Sequence, residues 1–303
     1  MNEWLWILLT LFAVVMQTLR TAGQKHLTAH MDAMAATLVR FLFGLPFAAV
    51  YLFGVTRFYQ APLPEPNATF LIFAVTASVA QIVATVLLIY LFTLRNFAVG
   101  TTYARTEAFL TAIVGALFFG ELITLPGWAA IFVSVAGVVV LTIARTHIEA
   151  LSLVYRLWNR AAAVGLASGL CFALTSLSLR KASLSLGVDN FQLSAGITLV
   201  TMVVIQTALT SAYVGVKNAR QFAVIFKCWR PCLFVGLTSA LGSIGWFTAM
   251  TLERASYVKA LGQIEFVFAL AVSTFFFRER TNALELCGMA LIGVGVLVLV
   301  VWG

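Results

Sequence analysis

The sequence predicts an all-α membrane protein, with ten transmembrane helices arranged as two inverted five-helix repeats. Three observations carry that expectation. First, 62% of the 303 residues are hydrophobic, only 10% are charged and the mean hydropathy is +1.01. A soluble domain carries roughly 25% charged residues and could not hide so much apolar surface. Second, the apolar runs are about twenty residues long and do not alternate, so in lipid the backbone satisfies itself as helices rather than as barrel strands. Third, a pattern returns at a constant offset. RTEAFLTAIVGALFFGE (Arg105 to Glu121) is matched by GQIEFVFALAVSTFFFRE (Gly262 to Glu279), and 265 − 107 and 279 − 121 both equal 158. The same offset relates Gly137 to Gly295, Phe118-Phe119 to Phe276-Phe277 and Thr93-Leu94 to Thr251-Leu252. Several landmarks in one register indicate an internal duplication of about half the chain.

The first span runs from Trp4 to about Arg20 and holds Gln17 near its end. It has neither a basic leading segment nor a small-residue cleavage site, so it is expected to remain as a helix. A polar segment with Arg20, Lys25, His26, His30 and Asp32 leads to the second span, about Met34 to Val55, which contains Arg40. The loop Thr56 to Asn67 holds three of the six prolines and is expected to lie outside the membrane. Span three is about Phe70 to Leu94, with Gln81 inside; Arg95-Asn96 turns into span four, about Phe97 to Phe119, and span five is about Leu125 to Ala144. Residues 145–160 divide the halves, so the organisation reads as a first repeat over 1–144, an inter-repeat segment and a second repeat over 161–303. Ile148, Leu151, Val154 and Tyr155 suit a short interfacial helix there. Span six is about Ala161 to Leu179, closed by Arg180-Lys181, and span seven about Phe191 to Tyr213. After a basic loop come span eight, about Pro231 to Leu252, span nine, about Ala255 to Phe277, and span ten, about Asn282 to Trp302.

Five spans per copy is an odd number, so the second copy enters the membrane from the opposite side. Inverted repeats are a transporter architecture, with a site near the midplane at the interface of the halves. The net charge of +8 does not imply nucleic acid, because in a membrane protein Lys and Arg of the loops set orientation. Twelve of them, from Arg20 and Lys25 to Arg280, follow odd-numbered spans, against Arg57, Arg180, Lys181 and Arg254 on the other face. That count places both termini outside. Cys171, Cys228, Cys232 and Cys287 match no common zinc spacing and are expected to be structural.

Each copy ends in TEAFLTAIVGALFFGE or IEFVFALAVSTFFFRE, followed by the glycine-spaced GWAAIFVSVAGVVVL or ELCGMALIGVGVLVL. This resembles the EamA branch of the drug/metabolite transporter superfamily, over nearly the whole chain by span count and spacing. Ala108 and Phe266 stand where that family often has proline, and Arg278 replaces the glycine before the second glutamate. What the resemblance implies is a ten-helix secondary carrier that exports or exchanges small metabolites, with both termini cytoplasmic. The charge count and the resemblance therefore give opposite orientations.

A charge at the bilayer centre costs roughly 2.5–3.5 kcal/mol on insertion scales, so each needs a partner or a wet cavity. Glu107 and Glu265 occupy equivalent places in spans four and nine, and their mutual repulsion in a poorly solvated space makes them candidate proton-linked switches. The competing role is a structural hydrogen bond across the interface. Arg40 is the candidate cavity cation, against an interhelical ion pair; Arg105 lies about 200° around a helix from Glu107 and is a poor partner for it. Lys259 either faces the cavity or snorkels. Gln17, Gln81 and Gln263 supply candidate donors and acceptors, Tyr103 shares a face with Glu107, and Trp246 either lines the site or packs. Glu121 and Glu279 precede helix starts and are expected to cap the helix that follows each. His26 and His30 lack a third metal ligand.

The function expected from these residues is secondary transport of a small polar or amphipathic metabolite across the cell membrane, of bacterial inner-membrane type, with the proton as candidate coupling ion. No cofactor, metal or nucleic acid is expected. The alternatives are an intramembrane enzyme, which would need a constellation that His26, His30 and His147 do not supply, and a passive channel or scaffold. Neither H-E-x-x-H nor a Walker A loop is present.

Overall fold

A computed structural model describes residues 4–60, 62–91, 104, 106–146, 160–265 and 282–302. Tyr103, Arg105, Glu279, His147, the Arg95-Asn96 turn and most of the 145–160 segment lie outside the described residues. The described helices are α1 (Leu5–Leu27), α2 (Ala33–Leu42), α3 (Leu45–Tyr59), α4 (Ala68–Leu91), α5 (Glu107–Phe118), α6 (Leu125–Thr146), α7 (Arg160–Ser185), α8 (Phe191–Asn218), α9 (Arg220–Lys227), α10 (Trp229–Leu252), α11 (Ala255–Gly262) and α12 (Ala283–Trp302). Among the described residues seven helical segments are long and apolar enough to cross a membrane: α1, α2 with α3, α4, α7, α8, α10 and α12. Glu107–Phe118 and Leu125–Val140 are shorter apolar helices. The expected spans four and nine each extend beyond the described residues, so the count of seven spans with shorter apolar helices is a count over the described residues.

Several boundaries differ from expectation. Helix α1 continues to Leu27, so Arg20 lies inside the helix and is buried. Helix α7 runs on through Arg180 and Lys181 to Ser185. The second span is broken, with α2 ending at Leu42. Pro46 lacks an amide hydrogen, and its ring would meet the carbonyl four residues back, which is that of Leu42. The basic loop between α8 and α10 holds the short helix α9.

Helix α1 explains how the bundle sits in lipid. Leu8, Phe12, Val15 and Leu19 fall on one face and are exposed, whereas Ala13, Arg20 and Gln24 on the other are buried. An apolar face turned outward and a polar face turned inward is the arrangement lipid permits and water does not. Caps start the helices of both halves in the same register. Asp32 Oδ1 accepts from the amide of Ala35 (2.8 Å), and Asn190 Oδ1 accepts from the amide of Leu193 (3.1 Å). Both 190 − 32 and 193 − 35 equal 158.

Among the described residues the most extensive packing is between the halves rather than within them: α6 against α12, α4 against α7 and α1 against α10. A shift of 158 residues exchanges the last two pairs and returns the first to itself, which is a two-fold exchange of partners. The atoms keep the same register. A Cβ on Gly137 would stand 2.7 Å from both the Gly288 carbonyl oxygen and the Ile292 amide nitrogen; one on Gly295 would stand 2.7 Å from the Ala130 oxygen and 2.8 Å from the Ser134 nitrogen. Again 288 − 130 and 292 − 134 are 158. Helices α6 and α12 therefore cross backbone to backbone.

That close approach is open to a test within one helix. Among the described residues nothing lies within 4 Å of a Cβ on Gly293, two residues from Gly295. Gly295→Ala should lower thermal stability in detergent by about 1–3 kcal/mol, the range for overpacking. Gly293→Ala should be neutral or stabilising by up to about 1 kcal/mol from helix propensity. Equal melting midpoints for the two variants would remove the crossing from the account.

Candidate functional site

Helices α1, α2, α4, α5, α7, α10 and α11 surround a central cavity of about 190 Å³. Its lining includes Gln17, Arg40, Gln81, Glu107, Trp246, Lys259, Gln263 and Glu265, so every expected site residue that is described comes to one space. Tyr103 lies outside the described residues. Part of the lining comes in register pairs drawn from the two halves: Gln17 with Thr175, Thr21 with Leu179, Leu88 with Trp246, Ala104 with Gly262, and Glu107 with Glu265.

The two carboxylates are joined by a chain of polar contacts. Glu107, at the start of α5, accepts an ion pair from Lys259 Nζ of α11 at 2.5 Å. The Lys259 ammonium stands 4.7 Å from the centroid of the Trp246 ring, a cation–π distance. Trp246 Nε1 donates to Gln17 Oε1 (3.1 Å), and Gln17 Nε2 donates to Glu265 Oε2 (3.4 Å). Lys259 thus faces the cavity rather than snorkelling, and Trp246 holds a polar partner there. The acids differ in environment: Glu107 meets an ammonium and Glu265 an amide.

Arg40 occupies the last turn of α2, just before the break. A Cβ on Gly236 of α10 would stand 2.5 Å from the Phe43 carbonyl carbon. Glycine there lets α10 press against the break, and one turn later Ser239 Oγ accepts from Arg40 Nε (3.1 Å). Thr85 Oγ1 of α4 accepts from Arg40 Nη1 (3.2 Å). Hydroxyls, not a carboxylate, hold this guanidinium, so the expected alternative of an interhelical ion pair is absent among the described residues. Gln81 accepts from Gln206 Nε2 (2.7 Å) and bridges α4 to α8.

The sequence reading placed Arg20 in a loop, yet it lines the cavity and is 6% exposed. Spacing could have found it. Gln17, Arg20, Thr21 and Gln24 follow the i, i+3, i+4, i+7 pattern of one helical face, a polar stripe continuing past the end of the apolar run. Thr21, Phe172, Thr175, Ser176, Ser243 and Met250 were also missed; small hydroxyl and apolar side chains carry no cost that marks them in a sequence.

Glu121 does cap a helix, but not the one that follows it. Gly120 at φ +68° turns the chain back, and the Glu121 carboxylate accepts from the amides of Ala255 (2.8 Å) and Ser256 (3.2 Å) and from Ser256 Oγ (2.7 Å), at the start of α11 in the other half. Arg180 Nε stands 3.8 Å away, and its Nη1 donates to the carbonyls of Met250 and Glu253 at the end of α10. No group of three His, Cys, Asp or Glu suited to a metal occurs among the described residues. The His26 and His30 rings meet edge to face with centroids 5.8 Å apart. The four cysteines are free thiols.

No curated protein matches the chain. Twenty-eight solved chains do, among them a crystal structure described only as "Crystal structure of protein", 13% identical, covering 100% of this chain and 99% of its own at a TM-score of 0.71. At that identity the likeness is one of fold alone. The family model of the EamA-like transporters matches twice, over residues 4–143 and 159–301. With both halves matched, the chain belongs to the EamA-like transporter family.

Proposed function

We propose that this membrane protein is a secondary carrier that exports or exchanges a small polar or amphipathic metabolite across the cell membrane, by alternating access between two inverted five-helix repeats, residues 1–144 and 161–303 about the segment 145–160. The observation that carries this reading is the cavity at the boundary of the halves, lined by register-equivalent residues from both. A site on the axis relating two copies is equally close to either face, so a rocking of one copy against the other opens it to one side at a time. At about 190 Å³ the cavity is smaller than the roughly 300–1,000 Å³ pockets of drug-sized ligands, which favours a compact metabolite. The Glu121 cluster ties α7, α10 and α11 to the end of α5, and opening on that side must release it.

A proton is the coupling ion this arrangement suits, and Glu265 is the better carrier of the two acids. Protonating Glu107 leaves Lys259, half-buried on the cavity wall, without its counter-charge. Glu265 accepts from a neutral amide and, with Arg20 within electrostatic reach, makes no ion pair among the described residues. Among the described residues, the charged groups lining the same cavity are Arg20 of α1, Arg40 of α2, Glu107 of α5 and Lys259 of α11.

Purified protein in liposomes should show saturable flux and counterflow of a substrate found by comparing metabolites in the medium of cells with and without the protein. Linear, non-saturating flux would point to a channel instead. Glu265→Gln should remove the pH dependence of transport while leaving insertion intact. Glu107→Gln should slow transport on the order of tenfold or more at every pH, because it strands Lys259. Wild-type rates and pH profiles in both variants would make the acids structural.

A further inference from the structure

Three cationic side chains line the cavity, Arg20, Arg40 and Lys259, against the carboxylates Glu107 and Glu265, so 3 − 2 leaves one positive charge among the described lining residues. Lys259 is neutralised by Glu107 at 2.5 Å. The surplus therefore rests on the two arginines. Arg20 is 6% exposed and Arg40 4% exposed, and the two guanidinium groups are within electrostatic reach of each other. Like charges in a dry interior repel and are costly to desolvate, by several kcal/mol per ion.

Their protein partners do not offset that cost. Arg40 has two hydroxyl acceptors. Among the described residues, Arg20 Nε is buried without a hydrogen-bond partner. Glu265 and Glu107 lie within electrostatic reach of Arg20, yet the ion pairs among the described residues are Lys259 with Glu107 and Arg180 with Glu121. The register mates of the arginines are Ser178 and Thr198, so the duplication does not require a cation at either place. A buried guanidinium offers planar donors that match carboxylate and phosphate oxygens.

We propose that Arg20 and Arg40 form an anion-binding subsite in the central cavity, which takes the carboxylate or phosphate of the transported molecule. The subsite rests on the reading of this cavity as the transport site. A single negative charge on the ligand neutralises the lining, while the Trp246 and Lys259 side accommodates the rest of the molecule.

The test uses the full chain in a neutral detergent at low salt, with the melting midpoint followed against acetate, succinate and inorganic phosphate. Glycerol and putrescine serve as neutral and cationic controls. At least one anion should raise the midpoint saturably and the controls should not; which anion does so separates a carboxylate from a phosphate ligand. Arg20→Gln and Arg40→Gln should each weaken the apparent affinity on the order of tenfold, the loss of one charge-assisted contact. Lys25→Gln, exposed on α1, should leave it unchanged. If either glutamine variant fails to fold, Thr21→Glu replaces it: a carboxylate set beside Arg20 in the lining should abolish the stabilisation. Absence of anion binding in the wild type, equal affinity in the arginine variants, or retained stabilisation in Thr21→Glu overturns the subsite. Binding of an anion that liposomes do not transport would remove the carrier reading and leave the subsite. Saturable transport of a neutral or cationic compound, unchanged by Arg20→Gln, would do the reverse.

Discussion

Everything in this bundle depends on helices of the two halves approaching each other backbone to backbone. Lipid tails are as apolar as leucine, so no hydrophobic effect drives helices together within the membrane; close dispersion contact and interhelical hydrogen bonds must do so. Gly137 and Gly295 provide the contact between α6 and α12. Between α1 and α10, a Cβ on Gly245 would stand 2.8 Å from the Leu9 carbonyl oxygen and 2.9 Å from Ala13 Cβ. The small buried residues Gly236, Ser239, Ala240, Gly242 and Ser243 form the inward face of α10. Because these seams join opposite halves, the space they enclose lies between the halves, and that is where the cavity is found.

Within that backbone symmetry the chemistry is unequal. Gln17 and Thr175, Arg20 and Ser178, Arg40 and Thr198, Leu88 and Trp246 occupy matching places with unlike side chains, whereas Glu107 and Glu265 match. The first half contributes both buried guanidiniums, and the second contributes the indole and the ammonium that faces Glu107. A two-fold backbone brings equivalent positions to one axis, but a polar ligand with distinct ends is held better by distinct groups. Divergence of the copies at these lining positions, with retention of the Gly137–Gly295 pair and of the Asp32 and Asn190 caps, is consistent with those two demands.

The Glu121 cluster shows how a buried charge is tolerated in this bundle. Its carboxylate accepts from two backbone amides and a hydroxyl, with Arg180 nearby. Hydrogen bonds to an ionised group are each stronger than neutral ones, about 1.5–3 kcal/mol, and the positive end of α11 adds to them. One residue thereby fixes the start of α11, the element that presents Lys259 and ends beside Gln263 and Glu265.

Composition and run length alone required a helical membrane protein, and the 158-residue offset between Glu107 and Glu265 and between Gly137 and Gly295 made the duplication legible, because period and spacing survive in one dimension. The cost of charge in lipid marked Arg40, Lys259 and the two acids as cavity candidates for the same reason. Pairing was not legible. That Glu107 meets Lys259, that Glu121 caps a helix 134 residues away and that Arg20 turns inward are decided by contacts between elements distant in sequence. A helix end marked by polar residues reads alike whether it emerges into water or continues along a buried polar cavity. Only the packing of α1 against α10 and α11 puts Arg20 in the second situation, since burial is a property of the neighbours a residue acquires and not of the residue itself.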